Sequence, residues 1–337
     1  MERRSLMIVV AVLIAMAGSP LAGRAFDWVP SDEELARYHR GWNPRTHGAN
    51  YSEDADLVPQ GQWAVRAYVQ GQIGHGNFEN QSTARGNATP FSPDAVEPDV
   101  IINYGLTRYL NVELSMSAIY WRSSASDSDG KNAGAGIGTT GGIVKFRPIV
   151  QDPDSWRPSV SLYSKLSLPT NRWLGTPDIP GGFTPMSRVP SSRFGSVAVT
   201  EGILTRKNLQ PFRVSADVFY TYNAPGGEHG RTVYGGDLVS TRLALEHVLH
   251  DDSGFGYLLE LATLKQLPSR LDGHTINSTP ATFWLMGVQP AIEYKFHDRP
   301  SGAHLVGAIG CMFTVAGNND VRAIYPNISL KYFFDEP

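Results

Sequence analysis

Apolar and polar residues alternate with a period of two along much of this sequence. The alternation is clearest in six segments, which are residues 63–72, 96–106, 110–118, 159–168, 212–221 and 324–334. In the first segment Trp63, Val65 and Val69 share one face, whereas Arg66 and Gln70 share the other. A period of two is typical of β-strands, because helical residues return to one face about every 3.6 positions. The pattern therefore predicts strands with one apolar and one polar face.

A looser form of the same pattern marks six more segments, at residues 137–147, 194–205, 238–249, 256–265, 282–294 and 303–314. Short links are predicted at Gly105–Arg108, Val150–Trp156, Arg206–Pro211, His250–Gly254 and Asp298–Gly302. Long links alternate with them, at residues 74–93, 123–134, 169–190, 223–236, 266–280 and 315–320. Short turns alternating with long loops are typical of outer-membrane barrels. The sequence therefore predicts an all-β fold, a transmembrane antiparallel β-barrel of about 12 strands over residues 61–337.

The alternative is a secreted soluble β-sandwich, in which the apolar faces would form a core. Aromatic residues gather near the strand ends: Trp63, Phe146, Phe212, Tyr257, Tyr332 and Phe334 at one end, and Tyr120, Trp121, Tyr222, Trp284 and Phe313 at the other. Two aromatic belts are typical of a membrane-spanning barrel and favour it over the sandwich. Pro98, Pro290 and Pro326 lie inside predicted strands, so we expect bulges or gaps in pairing there.

The first 25 residues have the order of a secretory signal peptide. Met1–Arg4 is basic, residues 6–16 are apolar, and Gly23–Ala25 offers a small-residue cleavage site. We predict cleavage after Ala25, with Ala22 as the alternative position. An uncleaved anchor is the other interpretation, but about eleven apolar residues are too few to cross ~30 Å of hydrocarbon as a helix. Export and a barrel fold together predict the cell outer membrane, with the lipid bilayer as a partner.

Residues 26–60 precede the first predicted strand. Ser31–Glu34 has the S-x-x-E form of a capping box, which predicts a short helix at residues 32–40. Both signs of charge and several aromatic residues occur in this segment. Two interpretations are open: a loose periplasmic tail, or a plug that docks on a lumen of mixed charge.

Composition excludes several classes of protein. With 41% hydrophobic residues the chain is too apolar for disorder, and a net charge of −3 offers no basic surface for nucleic acid. The single cysteine, Cys311, excludes an intrachain disulfide and a Cys-based zinc site. The nine histidines form no H-x-x-x-H pair, and we predict no metal site and no cofactor. Gly136–Gly141 matches G-x-G-x-x-G but opens a strand, so these glycines predict a bulge or relief of crowding.

The polar faces of the predicted strands carry charged residues of both signs. The candidates for lumen and selectivity residues are Arg66, Glu97, Asp99, Glu113, Lys145, Lys165, Arg213, Asp217, Arg242, Glu246, Glu260, Glu293 and Lys331. The two signs nearly balance, and most of these residues lie toward the short turns. One interpretation is a ladder of ion pairs that holds a narrow barrel. The other is a constriction that excludes ions and passes a neutral or amphipathic solute.

Five short motifs add a resemblance to a family. They are Tyr104–Thr107, Leu166–Thr170, Phe212–Asn223, Gly236–Leu238 and Leu243–His247. The order of these motifs over residues 60–334 resembles that of the outer-membrane channel-like family linked to the meta-cleavage pathway of phenol degradation. The resemblance implies a transporter for aromatic or other hydrophobic small molecules and carries over no binding residues. The chain departs from the family at residues 192–196 and at its end, where Asp-Glu-Pro follows Phe334.

From these patterns we expect a channel, not an enzyme, that passes small solutes by passive diffusion. Loops 74–93 and 169–190 would gate or capture the solute, and Trp173, Phe183 and Met186 would either present an apolar surface or pack on the rim. The alternatives are an outer-membrane hydrolase and a closed structural barrel. A Ser–His nucleophile at matching outward positions is not found, because Ser301 and His304 lie at a short turn.

Overall fold

Twelve antiparallel strands close into a barrel in the computed structural model of the chain, as the alternation predicts. The structure describes residues 29–78, 94–122, 133–169, 197–228, 231–268, 270–275, 283–299, 302–318 and 320–334. The barrel strands are β1 (Trp63–Phe78), β2 (Asp94–Thr107), β3 (Leu110–Arg122), β4 (Ala133–Ile149), β5 (Ser159–Pro169), β6 (Ala198–Leu209), β7 (Phe212–Asn223), β10 (Leu238–His250), β11 (Phe255–Gln266), β14 (Phe283–Asp298), β15 (His304–Asn318) and β16 (Asp320–Phe333). Each strand pairs with its sequence neighbours in the barrel, and β1 pairs with β16 to close it.

Four short strands lie outside the barrel wall. They are β8 (Gly226–Glu228), β9 (Arg231–Tyr234), β12 (Arg270–Leu271) and β13 (His274–Thr275), and they form a second small sheet. The sequence predicts plain loops at residues 223–236 and 266–280, so it misses this sheet. Strands of two to four residues are too short to show an alternating pattern.

Some predicted boundaries are wrong. The sixth barrel strand runs over residues 198–209 rather than 194–205, so the predicted link at 206–211 shrinks to residues 210–211. Strand β1 extends to Phe78, which shortens the link predicted at 74–93. Strand β15 extends to Asn318, which shortens the link predicted at 315–320. Residues 1–28, including the predicted signal peptide, lie outside the described residues, as do residues 170–196 with Trp173, Phe183 and Met186.

The apolar faces of the strands point outward and the polar faces point into the lumen. Trp63 on β1 is 49% exposed and Val218 on β7 is 55% exposed, because both lie on the outer surface. Aromatic side chains on that surface lie near both ends of the barrel: Trp63, Phe212, Tyr257 and Phe334 at the short-turn end, and Tyr120, Tyr222 and Phe313 toward the long-loop end. An apolar band between two aromatic belts fits a lipid bilayer.

The three prolines leave gaps in the ladders without shifting the register. Pro98 pairs with Val69 of β1, but pairing of β2 with β3 skips from Val96 to Asp99. Pro290 and Pro326 likewise keep a partner on one neighbouring strand while the ladder on the other side skips them. A proline has no N–H to donate, so it can serve only one side of a sheet. The predicted gaps are confirmed.

The predicted bulge in the glycine-rich strand is also confirmed. The register of β3 against β4 shifts between Met116 and Ala118, which pair with Thr140 and Ile137. Two residues of β4, Gly138 and Thr139, therefore face the single residue between them on β3. An extra residue on one strand is the defining feature of a β-bulge.

Within the described residues one helix, α1 (Asp32–Arg40), precedes the barrel, at the boundaries that the capping box predicts. The Ser31 hydroxyl accepts from the Glu34 N–H, and the Glu34 carboxylate accepts from the Ser31 N–H at 3.0 Å. No helix among the described residues is long and apolar enough to cross a membrane. Leu35 and Tyr38 lie on the buried face of α1. They pack with Val150, at the end of the barrel where the short turns lie.

Candidate functional site

The chain between α1 and β1 enters the barrel from the short-turn end and returns to it. The Trp42 indole donates to Asp251, in the turn after β10, and the Gln62 amide donates to the backbone carbonyl of Phe334. Between these points residues 43–58, which we term the lumenal loop, contact inward-facing side chains of many strands. The Asn50 side-chain amide donates to Asn327 of β16, which lies six positions before Phe333 at the short-turn end of that strand. The loop therefore lies inside the short-turn half of the lumen.

One wall of the lumen holds the lumenal loop with carboxylates. Glu260 of β11 accepts the backbone N–H groups of Asn50, Tyr51 and Ser52 at 2.8–3.0 Å. Glu293 of β14 accepts from the Gly48 N–H at 3.1 Å. Each of these glutamates is almost fully buried, so the loop amides replace the water that would otherwise solvate them.

Glu246 of β10 extends the same wall toward the short turns. It accepts from the Thr46 hydroxyl at 2.6 Å and forms an ion pair with Arg213 of β7 at 2.9 Å. Arg213 also donates to the backbone carbonyl of Pro44. The acidic wall, which we define as Glu246, Glu260 and Glu293, thus contacts the loop over residues 46–52.

A second wall holds the lumenal loop with cations. Arg206 of β6 donates to both carboxylate oxygens of Asp54 at 2.8 and 2.9 Å, and to Asp56 at 2.9 Å. Arg147 of β4 pairs with Asp56 at 3.1 Å, and Lys145 of β4 pairs with Glu53 at 3.0 Å. The cationic wall, which we define as Lys145, Arg147 and Arg206, is buried, and charge-assisted hydrogen bonds of this kind are the strong ones.

Helix α1 is fastened outside the lumen, to the short turns. Arg157 in the turn after β4 pairs with Glu34 at 2.7 Å, and Arg108 in the turn after β2 pairs with Asp32. The backbone N–H of Ser31 and the Arg157 guanidinium hold the pKa of Glu34 below its ordinary value. Burial raises the pKa of Tyr38, whose hydroxyl donates to Asp56 at 2.5 Å. The Tyr38 hydroxyl therefore links the helix to the lumenal loop at two residues, since it also accepts from the Asn43 amide at 3.2 Å.

Glycines allow the loop and the wall to approach closely. A Cβ on Gly105 of β2 would lie 2.0 Å from the carbonyl oxygen of Pro59, where the chain leaves the lumen. The Gly61 N–H donates to the Gly105 carbonyl oxygen at 2.7 Å, and the Gly105 N–H donates to the Gln62 carbonyl oxygen. Gly48 adopts a φ of +76°, which favours glycine, at the point where its N–H meets Glu293.

The thirteen candidate residues all lie on barrel strands with their polar faces inward. Arg66, Asp217, Arg242, Glu246, Glu260 and Glu293 contact the lumenal loop, as do Lys145 and Arg213. Glu113 reaches the loop through Lys145, with which it pairs at 3.0 Å. Lys331 lines a small cavity beside the loop. Glu97, Asp99 and Lys165 lie nearer the long-loop end, away from these contacts.

Ion pairs between wall residues account for only some of the ion pairs in the lumen. Lys145–Glu113 and Arg213–Glu246 join neighbouring strands, as a ladder would. Four other pairs join the wall to the loop carboxylates Glu53, Asp54 and Asp56. Sequence reasoning missed these three acids and their partners Arg147 and Arg206. Arg147 could have been found, since it lies two positions after Lys145 and so shares its face.

Little space is left beside the lumenal loop. A cavity of about 30 Å³ lies between the loop and the wall, lined among others by Arg66, Asn103, Glu113 and Lys331. That volume admits water but not a solute of several heavy atoms. At the level of the loop, the described part of the lumen is filled.

A Ser–His contact occurs in the lumen: His47 Nε2 lies 2.8 Å from the Ser329 hydroxyl, which also accepts from Arg66 at 2.9 Å, and both side chains are buried. Among residues 29–334, as far as they are described, no group of three His, Cys, Asp or Glu could hold a metal ion. The buried His304 ring stacks on Phe333 at 4.2 Å, and Ser301 lies outside the described residues. His247 stacks on Phe212 at 4.6 Å, near the short-turn end.

The fold and the lumen define the class: an outer-membrane β-barrel of 12 strands whose N-terminal segment lies in its lumen. Solved structures share this fold. The COG4313 outer membrane channel from Pseudomonas putida F1 matches with a TM-score of 0.64 at 12% identity, over 84% of this chain and 99% of that one. At this identity the likeness establishes the fold.

Two further structures are less similar. The beta domain of the Bordetella autotransporter BrkA has a TM-score of 0.42 at 9% identity, over 82% of this chain and 99% of that chain. A Pseudomonas aeruginosa FadL homologue has a TM-score of 0.36 at 12% identity, over 82% and 91%. No protein-family model matches the sequence, and no curated protein matches it either.

Proposed function

We propose that this protein is an outer-membrane channel that passes small solutes by passive diffusion, with residues 29–62 acting as a displaceable plug. The observation that supports this most is the way the lumenal loop is held. Side-chain hydrogen bonds and ion pairs attach it to the wall, whereas the strands of the barrel pair with one another and close without it. A loop held in this way can leave while the barrel stays intact.

The orientation follows from the lengths of the links. Long loops face outward and short turns face the periplasm in barrels of this type. Both ends of the barrel segment, Trp63 and Phe333, lie at the short-turn end, which supports a periplasmic position for α1 and the mouth of the plug. A predicted signal peptide at residues 1–25 would deliver the chain there.

The solute class is the finer part of the proposal. The family resemblance implies aromatic or other hydrophobic small molecules. The buried charges of both walls favour solutes that also carry a charged group, because an uncharged hydrocarbon would leave those charges unpaired once the loop had moved. We therefore expect aromatic acids to pass better than aromatic hydrocarbons.

A liposome-swelling assay over aromatic acids, sugars and amino acids tests this function. Proteoliposomes should swell with at least one class of small solute and remain unchanged with a large dextran. Absence of swelling with every solute would contradict the channel.

The filled lumen also supports a second candidate, a closed structural barrel. Conductance in planar bilayers separates the two. Discrete openings, however brief, support the channel, and a silent protein that is correctly folded supports the closed barrel.

A further inference from the structure

Four large apolar side chains interrupt the polar inner face of the barrel. They lie on the adjacent strands β4, β5, β6 and β7, and each is two positions from a charged residue of the same inward face. All four are buried and belong to one hydrophobic cluster. We term them the apolar patch, which consists of Ile143, Tyr163, Leu204 and Phe219. A lumen that carried only water and ions would not need such a surface.

The two aromatic rings of the apolar patch form an edge-to-face pair. The centroids of Tyr163 and Phe219 lie 5.3 Å apart, with an angle of 81° between the ring planes. Gly202 of β6 leaves space for this pair, because a Cβ there would lie 2.5 Å from the Phe219 ring. Aromatic rings attract a further ring through the same edge-to-face or offset contacts. The patch is therefore shaped to receive an aromatic group.

The lumenal loop covers the apolar patch with a small side chain. Ala55 of the loop is fully buried and belongs to the same hydrophobic cluster. The Ser161 hydroxyl of β5 donates to the Ala55 carbonyl oxygen at 2.5 Å and holds the loop backbone there. A methyl group offers much less apolar area than a ring, so the patch is larger than its present occupant requires.

Cations flank the apolar patch on two sides. Lys145 Nζ lies 5.9 Å from the centroid of the Tyr163 ring, and the Arg242 guanidinium lies 4.9 Å from that of Phe219. The loop places the Glu53 carboxylate 3.0 Å from Lys145, and Arg242 also attracts this carboxylate. The docked loop therefore presents an apolar group and a carboxylate to this part of the wall.

Arg242 has no acidic partner of its own. Among the described residues it forms no ion pair, and its buried Nε has no hydrogen-bond partner. Its guanidinium donates to the Tyr51 carbonyl oxygen at 2.8 Å and lies between the rings of Tyr51 and Phe219. A buried charge without a counter-charge is costly, so this guanidinium favours an anion beside it.

Acids of the wall limit the site to one carboxylate. Glu113 pairs with Lys145 at 3.0 Å, Asp217 accepts a loop N–H at 2.9 Å, and Asp99 interacts with Arg66. These three acids belong to barrel strands and stay when the loop leaves. Departure of the loop carboxylate therefore opens a single anion position next to the apolar patch.

We propose that the apolar patch, Lys145 and Arg242 bind a monocyclic aromatic carboxylate once the lumenal loop has moved. The ring lies on the patch in the place of Ala55, and the carboxylate takes the place of Glu53. Solute and loop compete for the same groups, so binding of the solute displaces the plug. This inference rests on the proposed channel function and assigns its solute a site.

Equilibrium dialysis of radiolabelled phenylacetate against the full-length protein in detergent tests the site. Two matched competitors separate its parts, since phenylacetamide keeps the ring without the charge and acetate keeps the charge without the ring. A charge-assisted hydrogen bond and the burial of a ring are each worth about tenfold or more in affinity. We expect phenylacetate to bind at least tenfold more tightly than either competitor.

A variant of the loop distinguishes competition from a purely structural role. Glu53→Gln removes the carboxylate that competes with the solute and leaves the wall residues of the site in place. It should tighten the binding of phenylacetate about tenfold. Glu33→Gln is the matched control, because Glu33 is 82% exposed on α1 and its surface ion pair contributes little. The control should bind phenylacetate as the unmodified protein does.

Two wall variants assign the two parts of the ligand. Arg242→Gln should reduce the preference for phenylacetate over phenylacetamide and keep the preference over acetate, and Phe219→Ala should do the reverse. Each preference is a ratio of dissociation constants measured on one preparation, so it does not depend on how much of a variant folds.

The outcomes separate the site from the channel. Equal affinity for the three solutes, or an unchanged affinity in Glu53→Gln, would overturn the aromatic carboxylate site, and a protein that still swells liposomes would keep its channel function. Folded protein that shows neither binding nor swelling would overturn both.

Discussion

Arg206→Gln should open the channel by releasing the lumenal loop. Arg206 is buried, and it donates to Asp54 through two contacts of 2.8 and 2.9 Å and to Asp56 at 2.9 Å. Removing one partner of a buried ion pair costs about 3–5 kcal/mol, since the remaining charge stays buried. Asp56 keeps Arg147 and Tyr38 as partners, so we expect the lower end of that range.

This cost falls on docking of the loop, because the strands of the barrel keep their own pairing. About 3 kcal/mol corresponds to roughly a hundredfold fall in the ratio of docked to displaced loop. Single-channel recording in planar bilayers measures that ratio as the fraction of time in the open state. Asp54→Asn, which removes the other partner of the pair, should change the open fraction in the same direction.

Arg122→Gln is the matched control. Arg122 is 70% exposed and lies 4.0 Å from Asp94, a surface pair of the kind that contributes about 1 kcal/mol at most. An open fraction in Arg206→Gln equal to that of Arg122→Gln and of the unmodified protein would show that Arg206 does not hold the lumenal loop in place.

Three further predictions follow from the contacts. Gly105→Ala places a Cβ 2.0 Å from the Pro59 carbonyl oxygen and should expose the segment before β1 to protease, whereas Gly142→Ala, with no atom within 4 Å, should not. Val218→Arg puts a charge on the lipid-facing surface and should destabilise the inserted barrel by about 2–4 kcal/mol in urea titrations, whereas Val218→Leu should be neutral. The lowered pKa of Glu34 means that its contribution to the docking of α1 is present above the ordinary pKa of glutamate and lost as pH falls through the lowered value. Protection of the α1 amides against exchange, relative to an unstructured peptide at the same pH, should therefore fall below about pH 4, and Glu34→Gln should remove that dependence.

The barrel was predictable because lipid on one side and a polar lumen on the other impose a period of two. Trp63, Val65 and Val69 on one face and Arg66 on the other are enough to orient β1. The prediction failed for the sixth strand, where Lys207 and Asn208 follow Arg206 and the alternation disappears. Those residues bind the short turns and the lumenal loop, not lipid and water.

Only the wall residues of the candidate site could be predicted from the sequence. Inward-facing charges such as Glu260 and Lys145 follow from their position in a strand. Their partners do not, because the loop residues Glu53 and Asp54 have no periodic pattern and meet the wall only in the folded chain. The capping box gave α1 in full, since it is a local interaction between Ser31 and Glu34.

Single-channel conductance of a variant lacking residues 26–55 measures whether the N-terminal segment obstructs the lumen. The deletion removes α1 and most of the lumenal loop, and heat-dependent gel mobility would verify that the barrel has folded. We predict a large and steady conductance where the full-length protein shows a small or intermittent one. An unchanged conductance from the folded deletion variant would contradict the account, because the N-terminal segment would then not obstruct the path of the solute.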